Sequence, residues 1–272
     1  MENFGEYTIS GEPSIAERAE IWNTAIGLQA TDGLKVSPYL IELAKQNIEG
    51  EKNIYEVKES LKAYYEQQMS RDNDLRTEEA DEVAARITEI LGESAFLFHP
   101  EEYINIHNRL FQNVRGLEKI AGKIRDYNIT KKEWVLNDET VGYSPAQFIR
   151  TTLDYDFGVE KKFNYAGLSM NDKIRRIAEF ISGIWQIHPF GEGNTRTTAV
   201  FLLKYLRSKG FEPNQKLFTE NSWYFRNALV RANYENLAKG IYKTDKYLMK
   251  VMGNLLLGEN NELKNRDLKV GN

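Results

Sequence analysis

The segment from Asn171 to His188 constrains the fold of this 272-residue chain more than any other, because its apolar residues recur at intervals of three and four. That spacing puts them on one face of an α-helix, and Asn171-Asp172 is a good N-terminal cap for it. A face this regular must be buried, so it predicts a helical core. Its members are Ile174, Ile177, Ala178, Ile181, Ile184, Trp185 and, at the helix end, His188.

Helical periodicity dominates the rest of the chain, and the alternation typical of β-sandwiches and barrels is mostly missing. Ser37-Pro38 opens a helix by the N-cap and first-turn proline pattern. Residues 134–143 are the exception: the apolar triplet 134–136, an Asn-Asp turn signal and the segment 140–143 predict a short β-hairpin. The predicted fold class is therefore all-α with a single hairpin, which must pack on helices or cover something.

Three parts are predicted along the chain. Residues 1–72 form a small N-terminal helical unit, residues 73–258 form the main domain, and residues 259–272 form a polar tail that we expect to fray. The polar stretch 70–77 is the predicted linker between the first two parts.

Composition excludes several functional classes. The net charge of −4 gives no general attraction to nucleic acid or to anionic membranes, so no direct nucleic-acid binding is expected. No cysteine is present, which rules out thiolate zinc sites and cysteine nucleophiles. No signal peptide is visible, and the longest apolar run, 199–203, is too short to span a membrane. We expect a cytoplasmic protein, with export as an effector and a homo-oligomeric state both left open.

The chemistry is concentrated in residues 188–196, His-Pro-Phe-Gly-Glu-Gly-Asn-Thr-Arg. A helix ends at His188, and Gly191 and Gly193 bracket a loop that leads into a new helix near Asn194. Free amides and the positive end of a helix dipole make such a junction an anion site suited to phosphate. Arg196, one turn further on, can contact phosphate oxygens with two N–H groups.

The remaining polar groups fit a phosphate–metal site. The Glu192 carboxylate would repel phosphates unless it holds a bridging Mg²⁺, and His188 is then well placed to deprotonate a hydroxyl nucleophile. Each residue alone is more often structural, and only the combination indicates a site. The segment is not a Walker A loop, and the three histidines, at 99, 107 and 188, show no zinc-ligand spacing, so His99 and His107 are predicted to be structural.

The run HPFGEGNTRTTAVF resembles the signature of the Fic family, His-x-Phe-x-Asp/Glu-Gly-Asn-Gly-Arg-x-x-Arg, and segments 103–111, 121–134 and 221–234 resemble further parts of the family's core. The resemblance implies a Fic-type helical bundle with one β-hairpin flap. It also implies transfer of AMP from ATP to a Ser, Thr or Tyr hydroxyl of a protein, with Mg²⁺ as cofactor.

The resemblance also implies a role for each matching residue. His188 would be the general base, Phe190 a loop anchor in the core, and Glu192 the Mg²⁺ ligand. The flap, residues 134–143, would pair with an extended segment of the target protein and help to clamp the nucleotide. The nucleotide and its phosphates would be bound by Gly191, Gly193, Asn194, Thr195, Arg196, by Val141, Gly142 and Tyr143 of the flap, and by Tyr224, Phe225 and Asn233 near the adenine.

Two motif positions depart from the pattern. Thr195 replaces the third glycine, and Ala199 replaces the second arginine, which in relatives holds the γ-phosphate and pairs with an inhibitory glutamate. Residues 20–69 resemble the antitoxin-like unit that carries that glutamate in a Ser/Thr-x-x-x-Glu-Gly segment. One register aligns Leu28 to Asp32-Gly33 with it, and another places Glu49-Gly50 there. Our hypothesis is that the inhibitory salt bridge is absent.

Two other functions remain open. Fic relatives include phosphotransferases and phosphocholine transferases, and the loss of the second arginine makes another donor or a flipped donor conceivable. A non-catalytic nucleotide-binding regulatory module is the third alternative, and it predicts binding without turnover.

Overall fold

A computed structural model describes residues 13–68 and 75–271, and this part of the chain forms ten α-helices and one two-stranded hairpin. The predicted all-α fold class with a single hairpin is confirmed. The predicted boundary at residue 72 and most of the predicted linker lie outside the described residues. The helices are α1 Pro13–Gly27, α2 Pro38–Glu49, α3 Ile54–Gln68, α4 Leu75–Gly92, α5 Pro100–Phe111, α6 Ile149–Lys162, α7 Met170–Ile187, α8 Asn194–Ser208, α9 Leu217–Asn233 and α10 Lys246–Leu256.

Local sequence signals account for several helix boundaries. The hydroxyl of Ser37 accepts a hydrogen bond from the amide of Leu40 at 3.0 Å, so Ser37-Pro38 caps α2 as predicted. Helix α6 is not predicted from the sequence. None of the helices in the described ranges combines the length and the apolar character needed to cross a membrane.

The first strand of the hairpin lies four residues earlier than predicted, and the second lies one residue earlier. Strand β1 spans Thr130–Glu133 and pairs antiparallel with β2, Glu139–Gly142. The apolar triplet Trp134–Leu136, predicted to be a strand, instead forms a 3₁₀ turn that buries Val135 and Leu136 in the core. Burial of two adjacent residues on the same side is incompatible with a strand, whose neighbours point to opposite faces.

The hydrophobic core is continuous from the first helix to the last. Helix α1 packs against α4 and α9. Its Trp22, and Leu28 of the 3₁₀ turn that follows it, lie in the same cluster of buried residues as Phe201 of α8 and Phe225 of α9. Helix α8 is buried on all sides from Asn194 to Leu206, since α4, α5 and α7 all surround it. The phosphate-site motif therefore begins on the most enclosed helix of the protein.

The C-terminal segment does not fray. Residues Asn265–Leu268 form a 3₁₀ turn with Leu268 fully buried. The amide of Val270 donates to the carbonyl of Val135 at 3.0 Å, and Arg231 of α9 donates to the carbonyl of Leu268 at 2.6 Å. The segment is polar overall, so its composition did not indicate that Leu268 would be buried. Its hydrogen bond to Val135 supports the 3₁₀ turn between the two strands of the hairpin.

Candidate active site

His188 ends α7 in a left-handed backbone conformation, with φ of 52° and ψ of 60°. Its side chain is buried, as the stripe on α7 predicted. A non-glycine residue is uncommon in this region of φ/ψ space, and at a helix C-terminus it turns the chain sharply. The guanidinium of Arg125 stabilises this turn by donating from Nε to the carbonyl of His188 at 2.8 Å.

The imidazole of His188 is neutral, and one of its two nitrogens has a lone pair that can accept a proton. Nδ1 lies 3.2 Å from the carbonyl oxygen of Trp185, which can only accept, so Nδ1 carries the proton. Nε2 is buried and has no hydrogen-bond partner among the described residues. Burial, followed by the positive charge of Lys131, holds the pKa of His188 well below its ordinary value. The side chain is therefore a base that stays unprotonated at neutral pH.

The flap covers this base. The ring of Tyr143, which directly follows β2, stacks on the His188 ring with centroids 3.8 Å apart. Tyr143 donates its hydroxyl to the Glu133 carboxylate at 3.3 Å, and Gln186 of α7 donates to the carbonyl of Gly142 at 3.0 Å. Val141 is buried under the hairpin. Because Nε2 of His188 is buried, a substrate hydroxyl can reach it only if neighbouring groups move.

The loop between α7 and α8 requires both of its glycines. Gly193 has φ of 72°, and a Cβ at this position would lie 2.2 Å from Cζ of Phe111. A Cβ on Gly191 would lie 2.7 Å from the hydroxyl oxygen of Tyr127. Phe190 anchors the loop: its ring is buried and stacks on the imidazole of His107 with centroids 3.7 Å apart.

His107 is structural, as predicted, and it holds the loop. Its Nδ1 accepts from the amide of Gly122 at 2.9 Å, so Nε2 carries the proton and donates to the carbonyl of Glu192 at 3.1 Å. Burial lowers the pKa of His107 to about 3. His99 is also structural, since its Nδ1 accepts from the amide of Glu101 and caps α5.

The side chains of Asn194 and Thr195 are engaged within the protein. The Asn194 side chain accepts from the amide of Phe190 at 3.1 Å and donates to the carbonyl of the same residue at 2.8 Å. The hydroxyl of Thr195 accepts from the indole N–H of Trp185 at 3.0 Å. The expected donation from these side chains to phosphate is not available in this arrangement. The groups that stay available to bind an anion are the backbone amides of the first turn of α8.

Arg196 is the most enclosed charge of the site, with 1% of its side chain exposed. Its Nη2 lies 2.6 Å from the Glu79 carboxylate and its Nη1 donates to Gln29 at 3.1 Å. Its Nε lies 2.7 Å from Oδ2 of Asp32 without being directed at a hydrogen-bond acceptor, so that contact is Coulombic. The salt bridge to the second motif arginine cannot form, because Ala199 occupies that position. Asp32 instead forms an ion pair with Arg196, the first arginine of the motif. The hypothesis that inhibition is absent stays a prediction.

A cavity of about 450 Å³ opens beside these residues. The Glu192 side chain faces it with 55% of its surface exposed, and Nζ of Lys131 lies 3.8 Å from its carboxylate. No group of three metal-ligating side chains occurs in the described part of the chain. A lone half-exposed carboxylate still fits Mg²⁺, because Mg²⁺ takes its other ligands from phosphates and water. The cavity is lined by Thr31, Asp32, Gly33, Arg76, Glu79, Leu117, Lys131, Glu192, Arg196, Trp223 and Arg226.

Among the predicted nucleotide-binding residues, Arg196 alone lines this cavity. Tyr224 and Phe225 are buried in the core. Asn233 donates to the carbonyl and the hydroxyl of Ser182 and so joins α9 to α7. Ala199 is also fully buried. A contact between the adenine and these residues of α9 stays a prediction.

Sequence reasoning missed six residues of the cavity wall: Arg76, Glu79, Leu117, Lys131, Trp223 and Arg226. Glu79 pairs with a residue 117 positions away, a separation at which the sequence carries no local signal. A weak signal existed on α9, where an aromatic and a cation are three positions apart on one helical face.

The comparisons with known proteins agree with this geometry. Residues 97–206 match the model of the Fic/DOC family. The N-terminal Fic domain of a Bartonella effector protein, a substrate of the VirB T4SS from Bartonella sp. AR 15-3, shares 18% identity over 67% of this chain and 81% of its own, with a TM-score of 0.53. The Fic domain of Bep8 from Bartonella sp. 1-1C shares 19% identity over 67% of this chain and 84% of its own, again with a TM-score of 0.53.

A Fic family protein from Desulfovibrio desulfuricans G20 extends the likeness to 92% of this chain and 67% of its own, at 13% identity and a TM-score of 0.53. No curated protein matches the chain. The likeness to the solved structures is one of fold, whereas the family match covers the motif itself. The match to the Fic/DOC family model covers residues 97–206, which contain the buried histidine, the glycine loop and the first turn of α8.

Proposed function

We propose that the protein is an adenylyltransferase that moves AMP from ATP to a Ser, Thr or Tyr hydroxyl of a target protein, with His188 as the general base. The observation that carries the proposal is the state of His188, a neutral imidazole whose buried Nε2 has no partner among the described residues. His188 directly follows the end of α7 and leads into the loop that is suited to an anion. A buried nitrogen without a hydrogen-bond partner costs free energy of folding, and a catalytic role is one reason for such a group to be present.

The reaction follows from these positions. The target hydroxyl gives its proton to Nε2 of His188, and its oxygen attacks the α-phosphorus of ATP. The bond between the α-phosphorus and the oxygen that bridges to the β-phosphate breaks, and pyrophosphate leaves. The amides of the first turn of α8 would bind the phosphate oxygens. Mg²⁺, held by Glu192, would neutralise phosphate charge when bound.

The flap supports a protein target. Strand β2 pairs only with β1 among the described residues, so its outer edge offers backbone groups to an added strand. A segment paired there would approach Tyr143, the residue that covers His188. Target docking and uncovering of the base would then be a single event.

The test uses ATP labelled at either the α- or the γ-phosphate, incubated with the full chain and a bacterial lysate. We expect covalent protein label from α-labelled ATP only, abolished in His188→Ala. His99→Ala is the matched control, since that histidine caps α5 outside the site, and it should retain transfer. Label from the γ-position alone would establish phosphotransfer instead. ATP binding without any label would establish a regulatory module, and label that persists in His188→Ala would refute the assignment of the base.

A further inference from the structure

Three arginines from different helices line the cavity. Arg196 comes from the first turn of α8, Arg226 from the middle of α9 and Arg76 from the first turn of α4. Arg76 already donates from Nη2 to the carbonyl of Asp32 at 2.7 Å. Helix α8 offers no further guanidinium near the cavity, because Ala199 is buried in the core and Arg207 donates to the carbonyl of Leu91 at the far end of the helix. A polyanion that contacts Arg196 must therefore find its second guanidinium on another helix, and α9 offers Arg226.

Arg226 is held firmly enough to serve as a binding group. Its Nη1 and Nη2 donate to the two oxygens of the Glu133 carboxylate at 2.6 and 2.9 Å, and its Cζ lies 5.0 Å from the ring centroid of Trp223. A guanidinium has five N–H donors, so this fork leaves others for a ligand. Glu133 is itself buried, and the pair joins α9 to strand β1 of the flap. The position of the guanidinium is thus fixed before a ligand arrives.

Charge compensation differs between the two arginines. Arg196 faces two carboxylates, those of Asp32 and Glu79, whereas Arg226 is paired with only one, that of Glu133. A phosphate oxygen that approaches Arg196 must compete with both carboxylates. At Arg226 it competes mainly with Glu133, whose two oxygens already occupy one side of the fork, while Asp32 acts on Arg226 only through space, without an ion pair. Arg226 is therefore the more accessible guanidinium for a ligand with several negative charges.

We propose that Arg226 is a phosphate-binding residue that contacts the β- or γ-phosphate of the nucleotide from the wall opposite α8. The inference rests on the proposed function, because it assumes that the cavity receives the phosphate chain of ATP. It makes a specific distinction: the contact is made to ATP and is absent for AMP, whose single phosphate belongs at the loop near His188.

The experiment measures the Kd of ATP and of AMP by isothermal titration calorimetry on the full chain, in a His188→Ala background that prevents turnover. The variants are Arg226→Met, Arg226→Lys and Glu133→Gln. The last is the matched control, because it weakens the same ion pair and the same link to the flap while it keeps the guanidinium.

We expect Arg226→Met to weaken ATP by about tenfold or more and AMP by less than about twofold, as for the loss of one charge-assisted hydrogen bond. Arg226→Lys should recover part of the loss, and Glu133→Gln should bind ATP at least as tightly as the parent. Equal losses in Arg226→Met and Glu133→Gln would mean that the arginine is structural and would overturn the inference. So would equal losses for ATP and AMP. If the parent binds no nucleotide, the proposed function fails as well, whereas tight ATP binding that is unchanged in Arg226→Met defeats this inference alone.

Discussion

Replacement of Asp32 by Asn should make the protein bind ATP more tightly while making it less stable. Asp32 is one of the two carboxylates that surround Arg196, and phosphate must displace at least part of that arrangement to reach the guanidinium. The Asp32 side chain is 21% exposed, so solvent partly screens its charge. We therefore use the lower end of the energy range for a hydrogen bond to a charged group. Loss of its charge removes about 1.5 kcal/mol of competition, or roughly tenfold in Kd.

The stability change has the opposite sign. Arg196 keeps Glu79 and Gln29 after the substitution, so no buried charge is left without a partner. We expect the free energy of unfolding to fall by about 1–2 kcal/mol, less than the cost of stripping a buried ion completely. Urea denaturation measures this, and calorimetric titration with ATP in the His188→Ala background measures the affinity.

Asp154→Asn is the matched control, since it removes a surface ion pair with Arg150 on α6 and should change neither quantity. The reasoning is refuted if Asp32→Asn loses stability and also binds ATP more weakly. That result would show that Asp32 positions Arg196 for the ligand instead of competing with it.

Three further predictions follow from the site. Lys131→Met removes a positive charge that lowers the pKa of His188, so the acid limb of the transfer rate should move to higher pH; an unchanged pH profile would contradict this. Gly193→Ala should lower the free energy of unfolding by more than about 2 kcal/mol, whereas Gly210→Ala, also at positive φ but with open space around it, should cost only about 1 kcal/mol. His107 titrates near 6.5 when unfolded and near 3 when folded, so its protonation favours the unfolded state. Stability should fall as the pH drops below about 6.5, and His107→Gln should remove about 3 kcal/mol of the loss between pH 6.5 and 4, measured by denaturation at each pH.

Local signals predicted the parts of the fold that depend on short sequence separations. The spacing from Ile174 to His188 predicted both the buried helix and the burial of the histidine at its end. The Ser37-Pro38 cap needs only three neighbouring residues, and it was also predicted. The triplet 134–136 was misassigned because an apolar run of three fits a strand and a buried turn equally well.

The candidate site was predicted only as far as the motif itself extends. The loop and His188 lie within nine consecutive residues, whereas Gln29 and Arg196 are 167 residues apart and meet only because α1 and α8 share a core. To predict Arg226 from the sequence, one must know which face of α9 lines the cavity, and the aromatic residues of this helix do not indicate that face. The sequence pattern also gave no sign that the Asn194 and Thr195 side chains are used inside the protein.

The continuous core has a consequence for how the protein is made. Helix α1 packs on α9, and the hydroxyl of Ser222 donates to the carbonyl of Gly27, 195 residues earlier in the chain. At ordinary rates of synthesis, about 5–20 residues per second, the apolar face of α1 waits about 10–40 s for its partner. Trp223 and Arg226, which complete the cavity wall, also belong to α9 and are synthesised after the rest of the lining. The nascent chain therefore carries the α9-facing side of α1 uncovered long before the cavity is complete, and the expected vulnerability during expression is aggregation.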